Sequence, residues 1–170
     1  MKRIARFEKV SKSQFSRDFL DTFGREEKAA CEAAYEMAEV PKRATSGSAG
    51  YDFITPVPIC LKPGDSVKIP TGIRVSMEEG WVLQIYPRSG LGFKYRLQMN
   101  NTVGIVDSDY YHSENEGHIF IKITNDSREG KELRLEAGSG FAQGIFMEFG
   151  ITEDDDAAAV RNGGFGSTGV

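Results

Sequence analysis

The chain has 170 residues, 39% of them hydrophobic and 27% charged, a balance that predicts one globular domain with its own hydrophobic core. Its net charge of -4 argues against a nucleic-acid-binding protein, which needs a basic surface, but leaves small anionic ligands open. No segment approaches the ~20 apolar residues that cross a bilayer, so we expect no association with membranes.

The opening segment MKRIARFEKVSKSQF is basic but has no apolar run behind it, so we expect no signal peptide. Cys31 and Cys60 lie far apart in the sequence and lack the spacing of metal ligands. His112 and His118 fall in one loop region without neighbouring cysteines, which argues against a structural zinc site. These features predict a cytoplasmic protein with reduced thiols.

Residues 11 to 39 have the periodicity of two helices separated at Gly24 and ended by Pro41. The first helix carries phenylalanines at four-residue spacing: Phe15, Phe19 and Phe23. The second has an apolar stripe opposite Glu32, Glu36 and Glu39, made of Ala29, Ala30, Ala33, Ala34, Met37 and Ala38. We interpret residues 1 to 46 as an N-terminal helical extension that serves packing or assembly.

Residues 47 to 151 show short strand patterns broken by turn residues such as KPGD, MEEGW and NDSREG. The strand patterns are VKIPTGIRV, WVLQIYP, HIFIKITN and ELRLE. In HIFIKITN, alternation places Ile119, Ile121 and Ile123 on one face. Many short strands predict an all-β fold, an antiparallel sandwich or jelly roll, and we expect no helix in this region.

Three stretches of this region carry residues suited to holding an anion. YPRSGLGFK places Arg88 and Ser89 among glycines, so a guanidinium, a hydroxyl and backbone amides could face one phosphate. SAGYDF sets a small-residue turn before Asp52, and GSGFAQGIF puts Gln143 inside an apolar strand, where its amide needs a partner. Each stretch also has an ordinary structural explanation in isolation. YPRSGLGFK could be a surface turn, SAGYDF the start of a strand, and Gln143 of GSGFAQGIF could make a hydrogen bond in the core.

The stretch NNTVGIVDSDYY combines carboxylates with an aromatic ring. Asp107 and Asp109 are two residues apart, so one carboxylate could serve chemistry while the other holds the turn. Tyr110 offers a flat apolar surface for a sugar or a base. A hairpin turn with two solvated aspartates is the alternative.

The chain ends with an acidic connector, TEDDDAAAV, and the glycine-rich segment VRNGGFGSTGV. Glycine-rich termini are often frayed tails or linkers. A plain linker, however, does not need Arg161 and Phe165. The other interpretation is a flap whose backbone amides wrap a phosphate chain.

Taken together and in order, five of these motifs resemble those of the trimeric dUTP pyrophosphatase (dUTPase) family: AGYD, PRSGLGFK, GIVDSDY, FAQGIF and GGFGSTG. The resemblance covers residues 47 to 170. It implies a jelly-roll-like β-barrel over residues 47 to 151, followed by a connector and flap over residues 152 to 170. It also implies a homotrimer with three active sites, each shared between subunits, that hydrolyses dUTP to dUMP and pyrophosphate. This activity limits uracil in DNA and supplies dUMP for thymidylate synthesis.

By this resemblance Asp107 is the general base, which draws a proton from the water that attacks the α-phosphorus in line. The α- and β-phosphates are held by four residues: Arg88, Ser89, Gly90 and Gln143. Mg²⁺ is the implied cofactor, bound by the nucleotide and water rather than directly by side chains. Asp52 reaches the ion through water or helps to hold the base in place. Arg161 joins the catalytic set by covering the β- and γ-phosphates.

The resemblance also implies how the uracil and the deoxyribose are bound. The base meets Asn101, Phe120 and the main chain of Gly104, Ile105 and Val106, a fixed lining that rejects cytosine because its donors and acceptors are reversed. Tyr110 packs on the deoxyribose and excludes a 2′-hydroxyl. The flap closes over the ligand through Phe165, which lies on the uracil, together with Gly166 and Ser167.

This sequence departs from the family pattern at several places. Ser139 and Gly140 stand where the fourth motif usually has an Asp-Arg pair, the tail is one residue shorter between Arg161 and Phe165, and residues 111 to 117 form a longer loop. The N-terminal helices are also additional, and they offer a surface for a protein partner.

Two rival functions share the fold. A dCTP deaminase needs a glutamate in the strand after the third motif, where this chain has Lys122. A nucleotide-gated protein-binding module is the second alternative, with the helices or the long loop contacting the partner.

Overall fold

The structure of the protein is a computed structural model that describes residues 1–159. Four predicted site residues, Arg161, Phe165, Gly166 and Ser167, therefore lie outside the described residues. The N-terminal part contains β1 (Ala5–Lys9), α1 (Lys12–Phe23) and α2 (Lys28–Met37). After these come β2 (Lys42–Arg43), β3 (Tyr51–Ile54), β4 (Ile59–Leu61), β5 (Ser66–Pro70), β6 (Ile73–Met77), β7 (Trp81–Pro87), α3 (Ser89–Tyr95), β8 (Leu97–Met99), β9 (Gly104–Val106), a 3-10 helix (Ser108–His112), β10 (Phe120–Asn125), β11 (Leu133–Leu135) and β12 (Gly140–Glu148).

The strands form one five-stranded sheet, one three-stranded sheet and two pairs. The five-stranded sheet has the order β2-β3-β12-β7-β9, and the three-stranded sheet has the order β5-β10-β8. The two pairs are β11-β4 and β1-β6. Every pairing within residues 1–159 is antiparallel, as the short-strand pattern predicted. The predicted all-β character of this region is thus confirmed in its main outline.

Alternating apolar residues build the main core. Ile119, Ile121 and Ile123 are fully buried, which confirms that one face of HIFIKITN points inward. Phe53, Leu83, Leu133 and Phe141 join them from four other strands. Because each strand contributes every second residue, the opposite faces are left free for the site and for solvent.

The N-terminal helices form a second, smaller core against the β5–β6 turn. Ser11 caps α1 by accepting a hydrogen bond from the amide of Gln14, and Gly24 ends the helix as predicted. Phe15 and Phe19 are buried, which confirms the four-residue stripe. The helices press closely on Gly72, where a Cβ would lie 2.9 Å from the Cβ of Ala38 and where φ is +76°. Only glycine fits this turn beneath the helices.

The buried face of α2 differs from the predicted stripe. Cys31, Ala34 and Ala38 are buried, whereas Ala29, Ala30, Ala33 and Met37 are exposed. The prediction was wrong for these four residues because alanines occur around most of the helix. The larger Cys31 and Tyr35 side chains, not the alanines, determine which side faces the core.

Three further elements depart from the sequence analysis. Helix α3 occupies Ser89–Tyr95, where no helix was expected, and the 3-10 helix begins at Ser108, so Asp107 and Asp109 do not lie on one extended strand. Strand β1 was not predicted. It pairs with β6 and so joins the N-terminal segment to the strands that follow the helices. No helix within residues 1–159 is both long and apolar enough to cross a membrane.

Candidate active site

A polar cleft lies at the end of the five-stranded sheet where β7 passes into α3. Its lining contains four predicted site residues, together with Ala44, Ser48 and Gly50: Asp52, Arg88, Ser89 and Gln143. The register explains why they meet, because Gln143 on the central strand β12 lies directly opposite Asp52 on β3 and opposite Tyr86 on β7. Arg88 then follows β7, and Ser89 begins α3. The first, second and fourth motifs thus converge on one small cleft.

The guanidinium of Arg88 is the main positive charge of this polar cleft. Its Nε lies 3.5 Å from a carboxylate oxygen of Asp52, and about half of the side chain is exposed. The amide of Gln143 donates to the carbonyl of Pro87 at 3.4 Å, so the predicted need of Gln143 for a partner is met by the strand that carries Arg88. The cleft therefore presents a guanidinium, a hydroxyl and an amide side chain, which are groups suited to phosphate oxygens.

Gly140 makes room for Arg88. A Cβ at Gly140 would lie 2.5 Å from a terminal nitrogen of Arg88 and 3.2 Å from its Cδ. The guanidinium of Arg88 thus lies directly over the position where the family pattern has an arginine. In this chain the absence of a side chain at Gly140 is what allows Arg88 to occupy that space.

The donor set of the cleft bears on how a metal ion could bind. Within residues 1–159 no group of three histidine, cysteine, aspartate or glutamate residues could hold a metal ion. The cleft contains one carboxylate, that of Asp52, and it already faces Arg88. A single carboxylate suits Mg²⁺ that arrives with phosphates and water, because this ion keeps several waters and rarely uses an all-protein cage.

A second, larger cavity of about 470 Å³ lies along β9 and the turn that connects β8 to it. It is lined by four predicted base-binding residues: Asn101, Gly104, Val106 and Phe120. Ile85 and Met99 add apolar surface, and the predicted base residue Ile105 points outward and is 47% exposed. A mostly apolar cavity with a few amide groups suits a flat heterocycle whose edge makes hydrogen bonds.

Asp107 directly follows Val106, which lines this base cavity. It is half-buried and precedes the 3-10 helix, while Asp109 inside that helix is exposed. Tyr110 is only 3% exposed, and its hydroxyl donates to the carbonyl of His118 at 2.8 Å. The ring of Tyr110 is therefore mainly part of the core, and its contact with a deoxyribose stays a prediction for its small exposed part.

Asp107 and Arg88 lie far apart within one chain. Val106 pairs with Leu83 across the β7–β9 ladder, whereas Arg88, just past the end of β7, is five residues beyond Leu83, about 16 Å at ~3.3 Å per residue. Because the strands are antiparallel, Asp107 lies on the side of Val106 that points away from Arg88. The polar cleft and the base cavity of one chain are thus two separate sites.

Several lining residues were not identified from the sequence as substrate-binding. Lys68 and Lys122 line the base cavity, and so do Asn100 and Asn115. The alternation of Phe120 and Lys122 on β10 was the available signal, because residues two apart share a face. The cavity has a lysine where a dCTP deaminase needs its glutamate, so the structure gives that alternative no support. Gly90 lies in α3, next to the polar cleft lining.

Comparisons with known proteins show which family the chain resembles. The profile of the dUTPase family matches residues 36–169. Deoxyuridine 5'-triphosphate nucleotidohydrolase of Lactococcus lactis is 41% identical over 134 residues, which cover 77% of this chain and 88% of that protein. The crystal structure of dUTPase from Streptococcus mutans is 32% identical, with a TM-score of 0.63, and covers 86% of this chain and 98% of its own.

A more distant structure resembles the fold alone. A mutant dUTPase from phage phi11 of S. aureus, described for the coordination of a structural Mg(II) ion, is 19% identical, with a TM-score of 0.63. The match covers 92% of this chain and 98% of that chain. With the family profile spanning all five motifs and a relative at 41% identity, the chain belongs to the dUTPase family.

Proposed function

We propose that the protein hydrolyses dUTP to dUMP and pyrophosphate. The carboxylate of Asp107 takes a proton from a water molecule, and the water oxygen attacks the α-phosphorus in line. The bond from the α-phosphorus to the bridging oxygen breaks, and that oxygen leaves with pyrophosphate. The observation that carries this proposal is the position of Asp107, directly after the strand that lines an apolar, amide-bearing base cavity. A positioned general base contributes roughly 10²- to 10⁴-fold to the rate.

The phosphates bind in the polar cleft of Arg88, Ser89 and Gln143. Electrostatic stabilisation of the triphosphate is the larger part of catalysis in phosphoryl transfer. Bound Mg²⁺ would neutralise phosphate charge, and Asp52 would contact the hydrated ion through water. The single carboxylate of the cleft supports this arrangement, since it leaves the ion to the phosphates and water. Gly90 adds a backbone amide to the phosphate contacts.

The base cavity selects uracil through fixed polar groups. Asn101 and the main chain of Gly104, Ile105 and Val106 pair with the base, and Phe120 packs against it. Gly104 is buried between Ile85 and Met99, so this backbone cannot easily shift to fit another base. Cytosine would leave buried polar groups unpaired, a mismatch that discriminates by as much as ~10⁴-fold in enzyme sites built this way. Tyr110 packs on the deoxyribose.

The active protein is a homotrimer of jelly-roll-like barrels with shared sites. The separation of Asp107 from Arg88, more than about 16 Å along the strands, supports this, because one phosphorus cannot meet both groups of a single chain. A second chain must bring its base cavity to the polar cleft of the first. A third chain supplies Arg161, Phe165, Gly166 and Ser167 to cover the bound nucleotide. In the cytoplasm, this activity limits uracil in DNA and supplies dUMP for thymidylate synthesis.

The chain is organised for this function in three parts. Residues 1–46 are an N-terminal extension, residues 47–151 form the catalytic barrel, and residues 152–170 are the connector and flap. The extension also offers an outward surface for a protein partner, since the face of α2 with Ala29, Ala30, Ala33 and Met37 is exposed. Contacts between the extension and the loop at residues 111–117 support a structural role for both.

Pyrophosphate release tests the proposed function. Purified protein with dUTP and Mg²⁺ is expected to release pyrophosphate and dUMP, and to release no ammonia from dCTP. The matched control is Asp107→Asn, which keeps the shape of the side chain and removes the base. We expect this variant to bind nucleotide normally and to lose at least about 10²-fold in turnover. Absence of pyrophosphate release by the unaltered protein, or full turnover by Asp107→Asn, would overturn the proposal or the role of Asp107, respectively.

A further inference from the structure

Two lysines face each other across neighbouring strands in the base cavity. Lys122 on β10 is directly opposite Lys68 on β5 in the strand register, and both side chains are exposed and line the cavity. Like charges directly opposite each other destabilise an antiparallel pair. In residues 1–159 neither ammonium group has a hydrogen bond or an ion pair with a carboxylate. The arrangement is therefore electrostatically unfavourable until an electron-rich group enters the cavity.

The surroundings separate the two lysines in role. The Nζ of Lys68 lies 4.9 Å from the centre of the Phe120 ring, a cation–π contact that occupies this ammonium. Lys122 has no such ring contact among the described residues. Its backbone carbonyl accepts a hydrogen bond from the amide of Asn100, so Lys122 lies beside the turn that connects β8 to β9. Lys122 is thus the lysine available to a ligand.

The position of Lys122 fixes which end of a pyrimidine it can meet. Asn100 and Asp107 lie at opposite ends of residues 100–107, a segment that contributes to the cavity lining, because β9 runs between them. The sugar and phosphates leave the base at N1 and must extend toward Asp107. The ring atom opposite N1 is C4, so the C4 substituent points toward Asn100 and Lys122. In uracil this substituent is a carbonyl oxygen, and in cytosine it is an amino group.

We infer that Lys122 is a specificity-determining residue whose ammonium group donates a hydrogen bond to the O4 carbonyl of uracil. The inference rests on the proposed function and adds a side-chain contact to it. An ammonium group has three donors and no acceptor, so it cannot pair with the amino group of cytosine. Lys68 supports the contact by holding Phe120 and by adding positive potential. Lysine at this position thus both attracts dUTP and rejects dCTP.

Binding of non-hydrolysable nucleotides tests the inference without any turnover. The probes are the α,β-imido analogues of dUTP and dCTP with Mg²⁺, titrated by calorimetry into the unaltered full-length protein and into Lys122→Met. We expect Lys122→Met to bind the dUTP analogue roughly tenfold or more weakly, the usual loss for a hydrogen bond to a charged group. The dCTP analogue should bind no more weakly than before, so the ratio of the two affinities falls.

Two further variants and one measurement of mass complete the design. Lys62→Met removes an exposed lysine that does not line the cavity, so it is expected to leave the affinity ratio unchanged. Lys68→Met is expected to lower the ratio less than Lys122→Met. The inference is overturned if Lys122→Met keeps the affinity ratio, or if both analogues weaken by the same factor. It is also overturned if light scattering shows that Lys122→Met only dissociates the oligomer while the assembled fraction keeps the ratio.

Failure of the proposed function would have a different signature. A protein that binds the dUTP analogue selectively but releases no pyrophosphate would contradict the proposed hydrolysis and leave the role of Lys122 supported. A protein that hydrolyses dUTP while Lys122→Met discriminates normally would support the hydrolysis and remove Lys122 from base recognition.

Discussion

The carboxylate of Glu116 accepts two hydrogen bonds from Ser11, one from the backbone amide at 2.8 Å and one from the hydroxyl at 2.7 Å. Ser11 is also the N-cap of α1, so one residue joins the start of the helix to the loop that follows the 3-10 helix. A second link joins the same two segments, since the hydroxyl of Tyr111 donates to Glu8 at 2.8 Å. The N-terminal segment and the longer loop are both additional to the family pattern. These hydrogen bonds join them to each other.

These links predict a specific dependence of stability on pH. The amide and the hydroxyl of Ser11 lower the pKa of Glu116 below its ordinary value of 4.5, and the hydroxyl of Tyr111 lowers the pKa of Glu8 in the same way. A carboxyl whose pKa is lower in the folded state stabilises the fold above its unfolded pKa and loses this contribution as pH falls through the folded pKa. The stabilisation is thus complete at neutral pH and is lost below about pH 4.5.

Glu116→Gln should be less stable at pH 7 by about 1 kcal/mol, because a neutral amide accepts weaker hydrogen bonds than a carboxylate. The difference from the unaltered protein should shrink as pH falls through the lowered pKa of Glu116, where its carboxylate becomes protonated. Urea unfolding at a series of pH values measures both. Glu114→Gln, an exposed change in the same loop, is the control and should have no such effect. A constant difference at all pH values would contradict this account.

A buried histidine, His118, connects α1 to the turn between β5 and β6 through hydrogen bonds. The Nε2 of His118 accepts a hydrogen bond from the amide of Gly72 at 2.8 Å, so the proton is on Nδ1, which faces Asp18 at 2.5 Å. His118→Ala removes both contacts, leaves the Gly72 amide unsatisfied and opens a cavity. We expect a loss of about 3 kcal/mol in the free energy of unfolding.

His112 is exposed and serves as the control for the substitution of the buried His118. His112→Ala is expected to change the free energy of unfolding by less than about 0.5 kcal/mol, as most surface substitutions do. Thermal and urea unfolding of the two variants side by side measures the contrast. Equal effects of the two substitutions would show that the His118 contacts do not stabilise the fold.

Gly140 should matter for substrate binding more than for stability. Gly140→Ala places a methyl group 2.5 Å from the guanidinium of Arg88, and the flexible end of the arginine side chain can move aside at little cost to folding. Arg88 then leaves the position from which we propose that it contacts phosphate. We expect KM for dUTP to rise roughly tenfold, the scale of one lost charged hydrogen bond, while Tm changes little.

The comparison variant for this prediction is Gly150→Ala, because an added Cβ there meets nothing within 4 Å. Its KM and Tm should both match those of the unaltered protein. If Gly140→Ala lowers Tm strongly and leaves KM unchanged, the glycine serves packing and not the placement of Arg88.

Most strands after residue 47 could be predicted from the sequence, because the alternation of apolar and polar residues along a strand is a local pattern. The pattern of HIFIKITN identified three core isoleucines, and the four-residue stripe of α1 identified Phe15 and Phe19. Strand β1 was missed because ARFEK is short and its partner β6 lies far along the chain. Helix α3 was missed because its glycines have low helix propensity, so its formation depends on tertiary context.

The site was predictable in its residue types but not in its geometry. Motif order identified Asp107, Arg88 and Gln143, and the missing Asp-Arg pair pointed to a change near Gly140. What fills that space depends on how β7 and β12 pair, which only the structure supplies. The lysine pair was missed for the same reason, since the register of β5 against β10 cannot be derived from either strand alone.

Mixing two inactive variants tests whether sites are shared between subunits. One variant is Asp107→Asn, and the other ends at residue 160 and lacks the proposed flap. Each alone should form trimers that are nearly inactive, because every site lacks either the base or the cover. After subunit exchange at equal amounts, about a quarter of the sites should combine an intact Asp107 from one chain with an intact flap from another.

The recovery is expected because the proposed sites combine Asp107 of one chain with the flap of another. The separation of Asp107 from Arg88, more than about 16 Å along the strands, supports sharing between chains. Light scattering confirms the trimer, and mass measurement of tagged chains confirms the exchange. Mixing the truncated chain with itself is the control and should recover nothing. If exchange is complete and activity stays at the level of the separate variants, base and flap act within one chain, and the shared-site arrangement is wrong.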